Sequence, residues 1–324
     1  MAKAIRIHRT GGPEVMEYEE VEVGKPGPGQ VLVRQMACGL NFVDVYFRSG
    51  QYVEPLPTGL GMEGAGVVEE IGTGVTHLQV GDRVAYAAKP PGAYAELRVM
   101  WAHVLVKLPA SISFETAAAV MLQGLTVQYL FRRTFALQGG ETILFHAAAG
   151  GVGLIACQWA RAIGVAVIGT VGSDEKAELA RAHGCVYPVN YKRENFVDKV
   201  KEITEGQGVP VVYDSIGKDT FTGSLDCLAP LGMMVSFGSA SGPVPPFNLG
   251  ELASRGSLFI TRPSVFDYTA KRDDLEKAAA ELFSMIESGK IKVNINQRYA
   301  LKDVAQAHHD LASRKTTGST ILIP

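Results

Sequence analysis

The chain has 324 residues, 47% of them hydrophobic and 20% charged, with a formal net charge of −2. That is the composition of a globular protein long enough for two domains, and the near-neutral balance excludes a large general surface for nucleic acid or membrane. No apolar run reaches the length of a membrane span, because glycines, His146 and charges interrupt each one. Cys38, Cys157, Cys185 and Cys227 lie far apart with no C-x-x-C spacing, which argues against a disulfide framework and a zinc cluster alike. The amino terminus alternates like a strand and lacks a secretory apolar region, so the cytoplasm is the expected location.

From residue 1 to about 125, short apolar runs are separated by turn punctuation, as at Gly11-Gly-Pro13, Gly24-Lys-Pro-Gly-Pro-Gly29, Gly72-Thr-Gly74 and Lys89-Pro-Pro-Gly92. This spacing predicts a β-rich domain, a partly open barrel. From about 126 to 266 the pattern becomes an alternation of strand and helix. Strands are expected at Ile143–Ala147, Val165–Thr170, Tyr187–Val189, Val211–Asp214, Gly232–Gly238 and Leu258–Ile260. Helices are expected at Gly153–Ile163, Glu175–His183, Asn195–Thr204 and Thr220–Leu228. Such alternation means a doubly wound parallel sheet. Two amphipathic helices, Asp273–Ser288 and Leu301–Arg314, and a strand Ser319–Ile323 complete the chain. With no third core in sight, residues 267–324 are expected to return to the domain formed by 1–125, leaving 126–266 as a dinucleotide-binding domain.

The strongest local signal is Thr142–Gly164, an apolar strand, a glycine-rich turn and a helix opening at Val152. In that context Ala148-Ala149-Gly150-Gly151-Val152-Gly153 reads as a dinucleotide-binding motif, with alanine in place of the first glycine. Gly150 would let the backbone approach a pyrophosphate and Gly153 would let the helix pack on its strand. The helix N-terminus then offers free N–H groups and partial positive charge to the phosphates. Cofactor preference is read one strand later. NAD-preferring folds carry a carboxylate there for the ribose hydroxyls, whereas this chain has Gly172, followed by Ser173 and Lys176, a hydroxyl and a cation suited to a 2′-phosphate. Asp174 and Glu175 read as favourable charges in the first turn of the next helix. An alignment displaced by two would instead put a carboxylate at the ribose.

Several motifs occur together in one order: Asn41-Phe-Val-Asp-Val-Tyr-Phe-Arg-Ser-Gly50, Gly59-Leu-Gly-Met-Glu-Gly-Ala-Gly66, Val80-Gly-Asp-Arg-Val84, Phe145–Gly153, Val212-Tyr-Asp-Ser-Ile-Gly217 and Ser236-Phe-Gly238. Over nearly its whole length the chain thus resembles the zeta-crystallin-like quinone oxidoreductases, a zinc-free branch of the medium-chain dehydrogenases/reductases. The resemblance implies an α/β protein with a GroES-like β-rich catalytic domain and a Rossmann domain, NADPH as cofactor, and a quinone as acceptor. It implies that Tyr191 and Arg314 complete the 2′-phosphate site, and that the Asn41–Tyr46 loop lies against the nicotinamide half of the cofactor. Asn41, Tyr46, Tyr52 and Gln123 become the candidate acceptor pocket, with plain packing an alternative for either tyrosine. Thr126 has two readings, a cofactor contact or a cap on the following helix. Phe237, Gly238 and Ser239 end a strand at the edge where such sheets bind ligands. Asp44 and Arg48 are expected to pair on a helical turn, and Cys38 to be a core residue.

Zinc-dependent relatives carry a cysteine where Asn41 stands, a histidine where Met62 precedes Glu63, and a further ligand near Gln123. Amide and thioether are poor zinc ligands, so no metal is expected, and Glu63 reads as a remnant of a metal-site scaffold. His308 and His309 are adjacent on a helix and cannot serve as co-ligands from one face. Without zinc the chemistry narrows. An alkoxide is the anion of an acid about as weak as water, with a pKa near 16. Hydride delivered to a quinone leaves a phenolate-like oxygen comparable to tyrosine, with a pKa of about 10. Quinone reduction is therefore consistent with a site lacking a strong electrophile, where positioning supplies much of the acceleration. A reductase of enones or alkenals fits the same motifs, and a structural or RNA-binding crystallin-like role is the alternative of another class. Relatives dimerise edge to edge through their parallel sheets, which makes Leu258–Ile260 a candidate homodimer strand.

Overall fold

The glycine and proline punctuation of the first 125 residues does produce sheet, and the tail is part of it. A computed structural model describes all 324 residues. Met1–Leu125, Tyr268–Glu287 and Val293–Pro324 form one unit, and Thr126–Asp267 with Ser288–Lys292 form a second.

In the first unit, seven strands are joined around Gln30–Leu40, an eleven-residue strand longer than its neighbours. It pairs antiparallel with Glu63–Ile71 on one side and with the terminal strand Ser319–Ile323 on the other, in the register Leu322↔Cys38 and Thr320↔Leu40. The tail is held by this register and by burial on both faces, Ser319 to Leu322 being buried in succession. Val31, Val33, Val84, Tyr86 and Leu105 form the core beneath. A smaller sheet joins Met16–Val21, Ala2–Ile7 and Thr58–Gly59. At the end of Gln30–Leu40 the chain turns into a helix, Phe42–Ser49. Asn41 occupies its N-cap and the Asp44 carboxylate accepts the Asn41 backbone N–H at 2.8 Å, while Gly50 at φ 82° ends it. That short helix carries the candidate-site residue Tyr46, with Asn41 at its N-cap.

The second unit is an all-parallel sheet of six strands, Thr142–Phe145, Ala166–Val171, Tyr187–Asn190, Val209–Asp214, Leu228–Ser236 and Phe259–Thr261. Counted along the chain they lie in the order 3-2-1-4-5-6, the doubly wound arrangement whose switch point falls between the first and fourth strands. Leu144, Ile168, Val212 and Met234 pack at its centre. The predicted strands and helices are all present with ends displaced by a few residues, and the motif helix spans Gly151–Ala162 rather than opening at Val152. Ser288–Lys292 clusters with this unit because the Gln158 amide is paired to the Lys292 backbone, accepting its N–H at 2.8 Å and donating to its carbonyl at 3.1 Å.

The alanine in the first glycine position has a structural counterpart on the neighbouring strand. Ala147 sits in the left-handed region at φ 56°, a conformation costing a non-glycine residue about 1–2 kcal/mol. Thr170 steadies the turn, its carbonyl accepting the Ala148 N–H at 3.0 Å and its hydroxyl the Ala147 N–H at 3.3 Å. The Ala148 methyl then fills space that Gly169 leaves open, since a Cβ at Gly169 would lie 2.6 Å from it. Glycine has in effect moved from the turn to the adjacent strand. Gly153 keeps its expected role, because a Cβ there would overlap the Ala147 carbonyl and the Ala148 backbone.

Candidate active site

In the first unit the structure brings Asn41, Glu63 and Gln123 into one buried set. Asn41 Nδ2 donates to Glu63 Oε2 at 2.6 Å, and Gln123 Nε2 donates to Asn41 Oδ1 at 3.2 Å. Glu63 Oε1 accepts the Leu122 backbone N–H at 2.7 Å, and the Ser319 hydroxyl lies 2.9 Å from Gln123 Oε1. Glu63 is fully buried. Burial pushes its carboxyl up to about 8, against the opposing bonds from Asn41 and Leu122, with the Asp44 charge raising it further. Tyr46 and Tyr52 are brought together with each other, ring centroids 5.2 Å apart and edge to face, with the Tyr52 N–H donating to the Tyr46 carbonyl at 3.0 Å.

A second buried chain runs behind the Phe42–Ser49 helix, and it corrects the expected Asp44–Arg48 pair. Tyr94 donates its hydroxyl to Asp44 Oδ2 at 2.7 Å, and His308 Nε2 lies 3.4 Å from the same hydroxyl oxygen. Arg48 Nη1 lies 3.1 Å from His308 Nδ1 and its Nε donates to the Gly11 carbonyl at 3.2 Å. Because Arg48 can only donate, Nδ1 is the acceptor and Nε2 carries the imidazole proton. Four residues apart on one helix, Asp44 and Arg48 are linked through groups from other segments rather than to each other. Burial holds His308 down to about 3, with the Arg48 charge acting in the same direction, so the ring is neutral. His309, by contrast, is exposed.

The donor set does not fit zinc. The Asn41 and Gln123 amides are engaged with each other and with Glu63 and Ser319, and Met62 is fully buried with only a thioether to offer. Cys38 directs its thiol to the Ala93 carbonyl at 2.8 Å, and burial pushes that thiol up to about 12, far from the thiolate a metal would need. It is the core residue the sequence suggested.

In the second unit Gly150, Gly151, Val152 and Gly153 form the turn and first residues of the motif helix, with Ala149 buried beneath. Below the turn, His146 Nδ1 lies 2.9 Å from the Thr170 hydroxyl and Nε2 lies 2.9 Å from the Ser224 hydroxyl, which donates to Asp214 at 3.0 Å. This network ties together the C-terminal ends of three strands at the switch point. Phe237 packs on Phe145 at 5.6 Å, and Ser239 is buried just beyond. Thr126 lies inside the helix Met121–Tyr129, so it is not a cap.

The region after the second strand fits a phosphate better than a ribose carboxylate. A Cβ at Gly172 would lie 2.7 Å from the Tyr191 hydroxyl, so an aspartate there would have to displace that half-exposed ring. Asp174 accepts Asn190 Nδ2 at 2.7 Å and is paired with Arg193 at 2.6 Å, so its charge is already engaged. Ser173 Oγ caps the next helix, accepting the Lys176 N–H at 3.3 Å, a capping role the sequence reading had not assigned. Lys176 is half-buried on that first turn, and Tyr191 is 43% exposed opposite Gly172. Arg314 belongs to the first unit, at φ 60° just after the helix Val304–Ala312. The sequence reading missed Arg193, Tyr94 and Ser319, and weighed His308 only as a metal ligand. Only their contacts reveal them, since each is recruited from a distant segment.

Residues 27–110 match the family model of the alcohol dehydrogenase GroES-like domain, and residues 151–284 that of the zinc-binding dehydrogenases. The chain is 58% identical over 325 residues to a quinone oxidoreductase of Pseudomonas aeruginosa, covering 100% of both. It is similar to the crystal structure of Escherichia coli quinone oxidoreductase complexed with NADPH, at 51% identity and a TM-score of 0.98 over 100% of both chains. It is also 45% identical to a 2-haloacrylate reductase of a Burkholderia species, over 100% of this chain and 99% of that one. With its GroES-like front, its 3-2-1-4-5-6 parallel sheet and kinship along its whole length, the chain belongs to the quinone oxidoreductases of the medium-chain dehydrogenase/reductase superfamily.

Proposed function

We propose that this chain carries reducing equivalents from NADPH to a quinone without a metal. The observation that carries the proposal is the interlocked Asn41–Gln123 amide pair, a neutral polar set standing where zinc chemistry would require thiolate or imidazole. Bound NADPH supplies the hydride. Gly150 to Gly153 and the helix they open hold its pyrophosphate, Phe237 to Ser239 border it at the sheet edge, and Thr126 makes a contact of its own. Tyr191, Ser173, Lys176 and Arg314 hold the 2′-phosphate. Asn41, Gln123, Tyr46 and Tyr52 position the acceptor, whose product oxygen is acidic enough to leave as a phenolate without a strong electrophile. The kinship with a 2-haloacrylate reductase supports a second reading, an activated double bond as acceptor, because both acceptors are electron-poor conjugated systems.

Exhaustively chelated protein assayed for NADPH oxidation against a panel of quinones, enones and 2-haloacrylate tests both readings. Quinone turnover should survive chelation and exceed turnover of the alkenes, with no stoichiometric metal in elemental analysis. One tightly bound zinc per chain, whose removal abolishes turnover, would refute the metal-free chemistry, and preference for the alkenes would transfer the assignment to the second reading.

The proposal extends to a cytoplasmic homodimer. All four cysteines are free and buried, and no helix is long and apolar enough to cross a membrane. Phe259–Thr261 is the outermost strand of the parallel sheet and Phe259 is 56% exposed, so an apolar strand edge with unpaired backbone groups awaits a cover. Sedimentation at micromolar concentration should give a dimer, and a monomer would overturn the assignment. The net charge of −2 keeps nucleic acid outside the proposal.

A further inference from the structure

We propose that Glu63 and Ser319 are positioning residues, the two ends of a reversible hydrogen-bond chain that sets which way the Asn41 and Gln123 amides point. The inference rests on the assignment of those amides to the acceptor pocket.

As observed, every donor in the chain runs one way. Ser319 O–H points to Gln123 Oε1, Gln123 Nε2 to Asn41 Oδ1, and Asn41 Nδ2 to Glu63 Oε2. The Leu122 backbone N–H occupies the other Glu63 oxygen. Two accepting oxygens describe an ionised carboxylate, so this polarity belongs to the charged form. A proton added to Glu63 has only one place to go. The backbone donor of Leu122 cannot rotate away from Oε1, so the proton sits on Oε2 and faces an Asn41 N–H across a 2.6 Å contact.

Both amides can relieve this clash by turning over. Glu63 Oε2–H would then donate to Asn41 Oδ1, Asn41 Nδ2 to Gln123 Oε1, and Gln123 Nε2 to Ser319 Oγ. The Ser319 hydroxyl is placed for this, because it lies 2.9 Å from the Ala119 carbonyl as well as 2.9 Å from Gln123 Oε1. It swings to Ala119, and the Asp44 N–H, which the capping box sets against the Asn41 side chain, keeps the Asn41 backbone carbonyl at 3.0 Å, so no group along the chain is left unpaired. Each polarity is therefore satisfied from end to end, and the charge on Glu63 selects between them. A ligand at the free edges of the amides meets a donor in one state where it meets an acceptor in the other.

No cation acts on Glu63 itself; the buried Arg98 guanidinium faces Cys38 and Tyr86 instead. Asp44 faces it from the Phe42–Ser49 helix, Cys38 from the Gln30–Leu40 strand and Tyr94 from the segment before Leu97. The Asp44 charge opposes a second one, while Cys38 and Tyr94 are held neutral by burial. The helices bearing Ala119 and Gln123 and the strand bearing Ser319 reach Glu63 and its chain with amide, hydroxyl and backbone groups alone.

The test is the pH profile of kcat/KM with NADPH and 1,4-benzoquinone for wild type, Glu63→Gln and Ser319→Ala. Glutamine has the shape of the protonated acid, with Nε2 as the donor toward Asn41, so it locks the turned polarity. Wild type should show two plateaus separated about tenfold, the worth of one hydrogen bond made or lost. Glu63→Gln should be flat at the level of the wild-type low-pH plateau. Ser319→Ala takes one partner from each polarity, the donor to Gln123 Oε1 in the charged form and the acceptor of Gln123 Nε2 in the turned one, so it should keep the inflection but lower both plateaus. An inflection retained in Glu63→Gln, a flat profile at the high-pH level, or wild-type plateau heights in Ser319→Ala would overturn the proposal. Wild-type protein inactive with the quinone at every pH would instead refute the functional assignment beneath it.

Discussion

Lys176→Ala should weaken NADPH about ten- to a hundredfold and leave NADH nearly unchanged. A charge-assisted hydrogen bond in a partly exposed site contributes on the order of 1.5–3 kcal/mol, and about 1.4 kcal/mol corresponds to one decade in affinity. The 2′-phosphate is present in one cofactor and absent from the other, so the two affinities separate phosphate binding from support of the fold. Arg314→Ala should give a loss of the same order. Arg314 lies in the first unit and enters the proposal through the family resemblance, so its variant is the independent check on that carry-over. If the two cations share one phosphate, as proposed, the two losses should add less than fully. Titration of each variant with both cofactors decides the matter. Equal losses for NADPH and NADH would assign these residues to the pyrophosphate or the fold. A wild-type preference for NADH would return attention to Asp174, although its pairing with Asn190 and Arg193 weighs against that outcome.

The second large effect is on stability in acid, and it resides in His308. An unfolded histidine titrates at about 6.5, whereas burial and Arg48 hold this one down to about 3 in the native state. Above pH 6.5 both states are neutral and the group contributes its full stability. Between 6.5 and 3 the unfolded chain takes up a proton that the native chain cannot accommodate, so this contribution is lost as pH falls. At pH 4 the loss is on the order of 3 kcal/mol, at about 1.4 kcal/mol per pKa unit. Asp44 and Glu63 act in the opposite sense. Burial raises them to about 7 and about 8, so their contribution is complete below the usual carboxylate range and is lost as pH rises through those values.

The effect of His308 is isolated by comparison with His308→Gln. A glutamine can accept from Arg48 through its carbonyl and donate to Tyr94 through its amide, so the hydrogen bonds are preserved and only the titration is removed. Urea unfolding of both proteins at pH 7.5 and pH 4 should show the difference in stability swinging by about 3 kcal/mol in favour of the variant at the lower pH. A difference independent of pH would mean that His308 titrates normally in the folded protein.

The elements themselves were legible in the chain because each rests on local periodicity. Every strand and helix expected between residues 142 and 261 is present, with ends displaced by a few residues, as where Ser173 caps a helix that opens at Asp174. The candidate site was legible as a roll of residues but not as a geometry. Asn41 and Gln123 are 82 positions apart and Arg48 and His308 are 260 apart, so no spacing rule could reveal that they touch. The expected Asp44–Arg48 pair failed for the same reason. Helical spacing offered each a local partner, and the packed interior offered Asp44 a tyrosine and Arg48 a histidine that were better placed.

The sequence by itself determined what could be written in short-range terms: two kinds of patterning, a glycine turn between strand and helix, and a missing carboxylate after the second strand. These depend on the chain's own few-residue periodicities, which survive without tertiary context. Tertiary structure alone decided how the turn tolerates alanine, through the space left by Gly169, and which side chain stands over the position after the second strand, that of Tyr191. It alone decided the donor partners of the buried amides and the charge states of Glu63, Asp44 and His308. Burial far from water makes an ionisation depend on every group packed around it, and those groups come from segments that only the fold brings together.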